Sequence, residues 1–329
     1  MRIATSAPTR IDLAGGTLDI WPLYLFHPGA QTVNAAISLR AHALVETRDD
    51  DRIVIRSLDT GVTVEADNWR ELRARRELRL LSLLCHFFEV HGITLTTSSE
   101  SPAGAGIAGS SALNIAVCAA LADWTRTHYE PDALAHIAMN VEAQAIAVPT
   151  GVQDYRPALY GGVAAVELDV DGIRRVPLEV EPAALGRRLV LCYTGAPRNS
   201  GTNNWEIMKK HIDGDPLVVE CFDRIRDAAA AVRDALVRAD WPEAGRAMTD
   251  DWETRKRLAP GVSTSVIDDL IERATRAGAE GAKVCGAGGG GCLVCIGPPE
   301  RREAIGAALA AGGARLLDFR IEPHGLTRG

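Results

Sequence analysis

Pro102-Ala103-Gly104-Ala105-Gly106-Ile107-Ala108-Gly109-Ser110-Ser111-Ala112 opens directly onto an apolar helical pattern. Its glycines let backbone N–H groups turn toward a ligand with no Cβ in the way. A helix start adds unpaired N–H donors and the positive end of the helix dipole. Such a place suits phosphate. The hydroxyls of Ser110 and Ser111 are placed to cap the helix, to hold phosphate oxygens or to ligate Mg²⁺. The plain alternative is a flexible turn whose serine caps a helix.

Two nucleotide-binding readings compete at this loop. Gly104-x-Gly106-x-x-Gly109 matches the dinucleotide fingerprint. That fingerprint needs a strong strand before it and an acidic residue about 20 residues later at a strand end. The stretch Thr94–Pro102 reads as short and polar, and Glu130 follows no strand-like run. A Rossmann oxidoreductase is therefore the weaker alternative. A Walker-type loop is excluded, because no Gly-Lys-Ser/Thr stands in or after the segment.

Outward from the loop, the chain mixes strand and helix patterns. Residues 111–127 place Leu113, Ala116, Val117, Ala120, Leu121 and Trp124 on one helical face. A second helix follows Pro131-Asp132. Further helices are expected over 78–90, 215–240, 265–277 and 300–311, the third ended by Gly278. Strands are expected at 41–46, 52–55, 161–170, 188–193 and 315–321, with 179–186 the candidate linker. Hydrophobic residues make up 47% of the 329, enough for two cores, and charged ones 24%. The net charge of −7 argues against a broad nucleic-acid or anionic-membrane surface. No apolar run reaches the roughly 18 residues of a membrane span, and the N-terminus turns polar too soon for a secretory signal. Seven scattered cysteines read as reduced thiols of a cytoplasmic protein. Cys292-x-x-Cys295 reads as part of a buried strand, since no second pair completes a zinc site.

Three further segments stand in order around the loop. They are Ala7-Pro8-Thr9-Arg10-Ile11-Asp12-Leu13-Ala14-Gly15-Gly16-Thr17-Leu18-Asp19, Gly151-Val152-Gln153-Asp154-Tyr155, and Lys283-Val284-Cys285-Gly286-Ala287-Gly288-Gly289-Gly290-Gly291-Cys292. Each alone is modest, since a glycine run is usually a turn. Together, and in this order from Ala7 to Cys292, they resemble the GHMP kinase superfamily of galactokinase, homoserine kinase, mevalonate kinase and phosphomevalonate kinase. The resemblance implies an α+β, two-domain fold with the active site in the interdomain cleft. The expected domains are 1–185, carrying the phosphate loop, and 186–329. It also implies ATP as phosphoryl donor and Mg²⁺ as cofactor.

Residue by residue, the resemblance makes Gly104, Ala105, Gly106, Ile107, Ala108, Gly109, Ser110 and Ser111 the phosphate cradle. Ser110 corresponds to the metal-ligating serine, with Ser111 kept open because the loop is a residue longer than the mevalonate-kinase form. Glu142 resembles the carboxylate partner of the metal; its plain alternative is a solvent-facing helix charge. Asp154 falls where the family places its catalytic aspartate, and Arg10 where galactokinases have an arginine beside it. Asp19 falls where galactokinases bind sugar hydroxyls, with Gly15 and Gly16 in the same substrate-facing loop. Gly15-Gly16-Thr17-Leu18-Asp19 departs from the Gly-Glu-His-Thr-Asp of galactokinases, which argues against galactose. It is more similar to the heptose-phosphate kinase and fucokinase branch. Gly286, Gly288 and Gly289 are expected in a backbone-rich wall of the site.

Phosphoryl transfer asks for in-line positioning and charge neutralisation. Asp154 would take the acceptor proton, and Arg10 would keep Asp154 ionised and offset phosphoryl charge. Arg198, in the polar run Tyr193–Trp205, is a candidate grip for a phosphate already on the substrate; a polar connection leading into the next helix is the even alternative. The expected partners are ATP and a small sugar or sugar phosphate, phosphorylated at its anomeric hydroxyl. A mevalonate-like hydroxy acid and a catalytically inactive nucleotide-binding regulator are the remaining readings.

Overall fold

Strand β2 (Gln31–Thr47) changes character halfway: its first seven residues are buried on both faces, three partly buried ones follow, and from Ala41 burial alternates. A two-sided burial needs packing above and below, and an alternating one leaves a face toward solvent. The computed structural model, which describes residues 1–197 and 200–329, supplies both surroundings. The strands are β1 (Arg2–Ala14), β2, β3 (Ile53–Ser57), β4 (Thr63–Ala66), β5 (Ile93–Ser99), β6 (Val163–Asp169), β7 (Gly172–Pro177), β8 (Leu189–Tyr193), β9 (Gly281–Val284), β10 (Cys292–Ile296), β11 (Arg315–Leu317) and β12 (Thr327–Arg328). Among the described residues they form two sheets. The first runs β12-β1-β2-β5-β3-β4, with β6 and β7 continuing from the first half of β2; the second runs β11-β8-β10-β9. Every pairing is antiparallel except β3 with β5.

The helices are α1 (Trp69–Leu72), α2 (Arg79–Phe87), α3 (Gly109–Trp124), α4 (Pro131–Ile146), α5 (Tyr155–Tyr160), α6 (Pro182–Arg188), α7 (Ser200–Ile212), α8 (Pro216–Val237), α9 (Trp241–Lys256), α10 (Ser265–Arg276) and α11 (Arg302–Ala311). Helices α2, α3 and α4 cover the first sheet around one apolar cluster. A second cluster joins α8, α9 and α10 to the second sheet. A third brings Ile11, Leu13 and Val33 of the first sheet against Leu191 and Val294 of the second, with Val232 and Met248 from α8 and α9. This mixed helix-and-sheet architecture is the α+β class expected from the sequence. Among the described residues, no helix is long and apolar enough to cross a membrane.

Local chemistry sets the element ends. Asp215 accepts from the N–H groups of Leu217 and Val218, with Pro216 at the first helical position of α8. Gly278, at φ +107°, follows α10 as the residue past the C-cap.

Four sequence expectations change. The stretch before the loop is a strand, β5, parallel to β3. Its Ile93, Leu95 and Thr97 point inward and its other residues are partly exposed, so it reads as polar while remaining half-buried. The dinucleotide fingerprint still fails, because the rest of that sheet is antiparallel. The candidate linker 179–186 runs into α6, whose Glu181 carboxylate caps Ala183 and Ala184. The strand expected over 315–321 closes at Leu317, and Ile321 instead bridges to Ile37 of the first sheet. Helix α3 is buried on nearly all sides rather than along one face, with Asn114, Ile115, Cys118 and Ala119 inside.

Candidate active site

Strand β1 carries Arg10 into the space between the sheets, where its side chain is 2% exposed. Nε and Nη2 donate to one oxygen of Asp154, at 3.0 and 2.6 Å. Nη1 donates to the Gly106 carbonyl at 3.0 Å and the Cys285 carbonyl at 2.7 Å. One guanidinium therefore ties β1 to the glycine loop, to the Gln153-Asp154 turn and to the start of the C-terminal glycine run. Burial alone would lower the Arg10 pKa; the charges of Asp154 and then Asp12 outweigh it and raise it. The paired charge stays on Arg10 at any working pH.

The glycine loop is laced from both sides. The Arg10 N–H donates to the Ile107 carbonyl at 3.0 Å, and the Cys292 N–H to the Ala105 carbonyl at 2.6 Å. Gly104, Gly106 and Ala108 hold φ of +68°, +74° and +60°, the left-handed backbone that brings the chain into α3 at Gly109. Gly291, at φ +86°, lies so close that a Cβ would sit 2.8 Å from the Ala105 carbonyl. Only a bare backbone fits there, so the C-terminal glycine run supports the loop directly. Gly286 and Ala287 line the cleft. Gly288 and Gly289 turn instead against residue 262, the Gly289 N–H donating to the Val262 carbonyl at 2.8 Å.

At the first turn of α3, Ser110 is exposed and Ser111 is 3% exposed. The Ser110 hydroxyl donates to Glu142 Oε1 at 2.7 Å, and the Ser111 hydroxyl to Oε2 at 3.1 Å. Tyr155 OH also donates to Oε2, at 2.7 Å. Glu142 is 5% exposed, so it is not the solvent-facing helix charge of the plain alternative. Tyr155 is a site residue that the sequence reading missed, although it directly follows Asp154. Its pKa is raised well above the usual phenol value, first by burial and then by the Glu142 charge.

Asp19 lines the same cleft as Asp154, Arg10 and Glu142, a space of about 630 Å³ counted with its open mouth. Its Oδ1 accepts the Thr17 N–H at 3.2 Å and its Oδ2 the Gln153 N–H at 2.9 Å. Gly151 is required beside it, since a Cβ there would approach Asp19 Oδ2 to 2.0 Å. Gly15 and Gly16 do not line the cleft; the Gly15 N–H donates to Asp251 Oδ1 at 2.9 Å, and Gly16 packs on Asp12. Arg198 lies outside the described residues.

At the wall of the cleft, Asp12 faces Lys283 Nζ at 3.2 Å and Arg255 Nη1 at 3.4 Å, and Lys283 reaches Asp251 at 2.7 Å. All four side chains are at most 3% exposed. Buried charges persist only when paired, and here the pairs join β1, α9 and β9. Asp251 and Arg255 come from α9, a helix that hydropathy does not reveal because its buried face carries charges.

Residues 74–162 match the family model described as GHMP kinases N terminal domain, and residues 232–315 the model described as GHMP kinases C terminal. The chain is 28% identical over 336 residues to the D-glycero-alpha-D-manno-heptose 7-phosphate kinase of Campylobacter jejuni, covering 98% of each chain. It is 26% identical over 350 residues to the mevalonate kinase of Thermococcus onnurineus, covering 99% of this chain and 98% of that one. The solved D-glycero-D-manno-heptose 1-phosphate kinase of Bacteroides thetaiotaomicron superposes with a TM-score of 0.79 at 24% identity, over 99% of this chain and 98% of that one.

Proposed function

The chain belongs to the GHMP kinase family, and from that premise we propose that it transfers the γ-phosphoryl group of ATP to a hydroxyl of a sugar or sugar phosphate. The likeness to a heptose 7-phosphate kinase over the whole chain supports a phosphorylated heptose, with the anomeric hydroxyl as acceptor. The observation that carries the reading is the Arg10–Asp154 pair, whose arginine also holds Gly106 of the loop.

In this reading the loop N–H groups of 104–111 and the first turn of α3 hold the triphosphate. Asp154, 19% exposed at the cleft, faces the acceptor hydroxyl and takes its proton as oxygen attacks the γ-phosphorus and ADP leaves. Arg10 keeps that carboxylate ionised and offsets charge on the transferring group. Asp19 accepts hydrogen bonds from acceptor hydroxyls. Mg²⁺ fits the donor set: Glu142 Oε2 is held by Ser111 and Tyr155, while Oε1 and the exposed Ser110 hydroxyl stand side by side as hard oxygen ligands. When bound, the ion neutralises triphosphate charge. Ser110 is the exposed serine and Ser111 the one that lines the cleft, so both hydroxyls stay candidate ligands. A site that consumes ATP fits a cytoplasmic enzyme.

The mevalonate reading keeps support from the Thermococcus relative; against it stands Asp19, a carboxylate on the cleft wall suited to accept hydrogen bonds from the several hydroxyls of a sugar. ADP release measured over free and phosphorylated hexoses and heptoses, with mevalonate alongside, tests the choice. Turnover on a sugar arm with silence on mevalonate is expected. Turnover of mevalonate alone would overturn it.

A further inference from the structure

Arg255 stands on α9, outside the glycine loop and the three motif segments read from the sequence, yet it lines the cleft beside Thr17 and Asp19. Its Nη2 donates to the Thr17 hydroxyl at 3.1 Å and to the Gly286 carbonyl at 2.9 Å. Thr17 has φ +84°, a backbone region that a β-branched residue adopts only when its surroundings hold it there. The Thr17 N–H in turn donates to Asp19 Oδ1, and Asp19 Oδ2 accepts from Gln153, the neighbour of Asp154. A continuous chain of hydrogen bonds thus runs from Arg255 through Thr17 and Asp19 to the Gln153-Asp154 turn.

We propose that Arg255 is a positioning residue for the acceptor: by latching Thr17 in its left-handed conformation, it aims the Asp19 carboxylate into the cleft and fixes the wall at Gly286. The proposal rests on the reading of this cleft as a kinase acceptor site. Charge compensation is one role of Arg255, since Lys283 is shared between Asp12 and Asp251; the Nη2 bonds to Thr17 and Gly286 go beyond it. A planar guanidinium can serve Thr17, Gly286 and Asp12 at once; a lysine ammonium keeps the charge but not that fork.

Arg255→Lys preserves the buried charge, and Thr17→Val preserves shape while removing the hydroxyl. With ATP and D-glycero-D-manno-heptose 7-phosphate as the probe pair, each variant is expected to raise the acceptor KM about tenfold or more and to leave the ATP KM within about twofold. The double variant is expected to be no worse than the poorer single, since both break one latch. Acceptor and ATP KM moving together, an unchanged acceptor KM in Thr17→Val, or multiplied effects in the double variant would each overturn the latch. Amide exchange read by mass spectrometry decides it without any acceptor. The peptide over 15–20 should exchange about tenfold faster in Arg255→Lys, with the peptide over 104–111 unchanged; equal exchange in both proteins overturns the proposal. Loss of all sugar turnover in the wild type counts against the sugar reading, while the exchange result still judges the latch. If Arg255→Lys does not fold, Thr17→Val supplies both readouts.

Discussion

Arg10 offers each edge of its guanidinium to a different part of the chain: Asp154, Gly106 and Cys285. Asp19, a few residues on, is set by its surroundings in the opposite sense. Burial first, and then the Asp154 charge, push its carboxyl up to about 6 from 3.8, against the Gln153 N–H that favours ionisation. Between those values the folded protein holds a proton that the unfolded chain has released, so this group's contribution to stability is lost as pH rises through that window. Asp19→Asn removes the titration. Urea unfolding should show the variant gaining about 2–3 kcal/mol relative to wild type between pH 4 and pH 7, on top of any constant offset from a lost hydrogen bond. A difference that stays flat with pH would contradict the buried, ionising Asp19. Arg10, Asp19 and Asp154 were legible because each sits at a fixed place in an ordered motif, and Glu142 by its place on the helix before Asp154; the fold brings all four to one cleft. Tyr155 and Arg255 were not: a tyrosine inside a short helix and an arginine on a polar-looking one carry no spacing signal, and only their partners across the fold reveal them.

At the scale of elements, the glycine loop is held by its neighbours as well as by its own turn, in which the Ala105 N–H donates to the Pro102 carbonyl. Gly291 approaches Ala105 more closely than any side chain allows, and the adjacent Cys292 N–H bonds to that same carbonyl. Gly291→Ala places a Cβ there at an unfavourable φ, so the loop must yield. ATP affinity should fall about tenfold or more in a nucleotide titration; unchanged affinity would show that the glycine run does not support the loop. Strands and helices with a clean period, such as α4, α8, α10 and β10, were readable along the chain. Those that mix polar residues inward or outward were not. β5 alternates threonine and serine with two aliphatics, and α9 buries Asp251 and Arg255, so hydropathy understates both. The return of Thr327–Arg328 to the edge of β1 is a long-range pairing of two residues, too short to leave a pattern.

Over the whole molecule, residues from positions 10, 19, 106, 142, 154 and 286 meet where the two sheets share a core. The buried charges of Asp12, Asp251, Arg255 and Lys283 pin the same junction. The family order of motifs implied this meeting; the ion pairs behind it were invisible, since no sequence rule pairs Asp12 with a lysine 271 positions later. Among the described residues, Asp154 both pairs with Arg10 and lines the cleft, so it bears the central claim. The direct measurement is the steady-state turnover of Asp154→Asn beside its ATP affinity. Turnover should drop about 10²-fold or more while ATP binds nearly as in the wild type. Full turnover in that variant would contradict a proton-accepting Asp154 and, with it, the assignment of this cleft as the place of phosphoryl transfer.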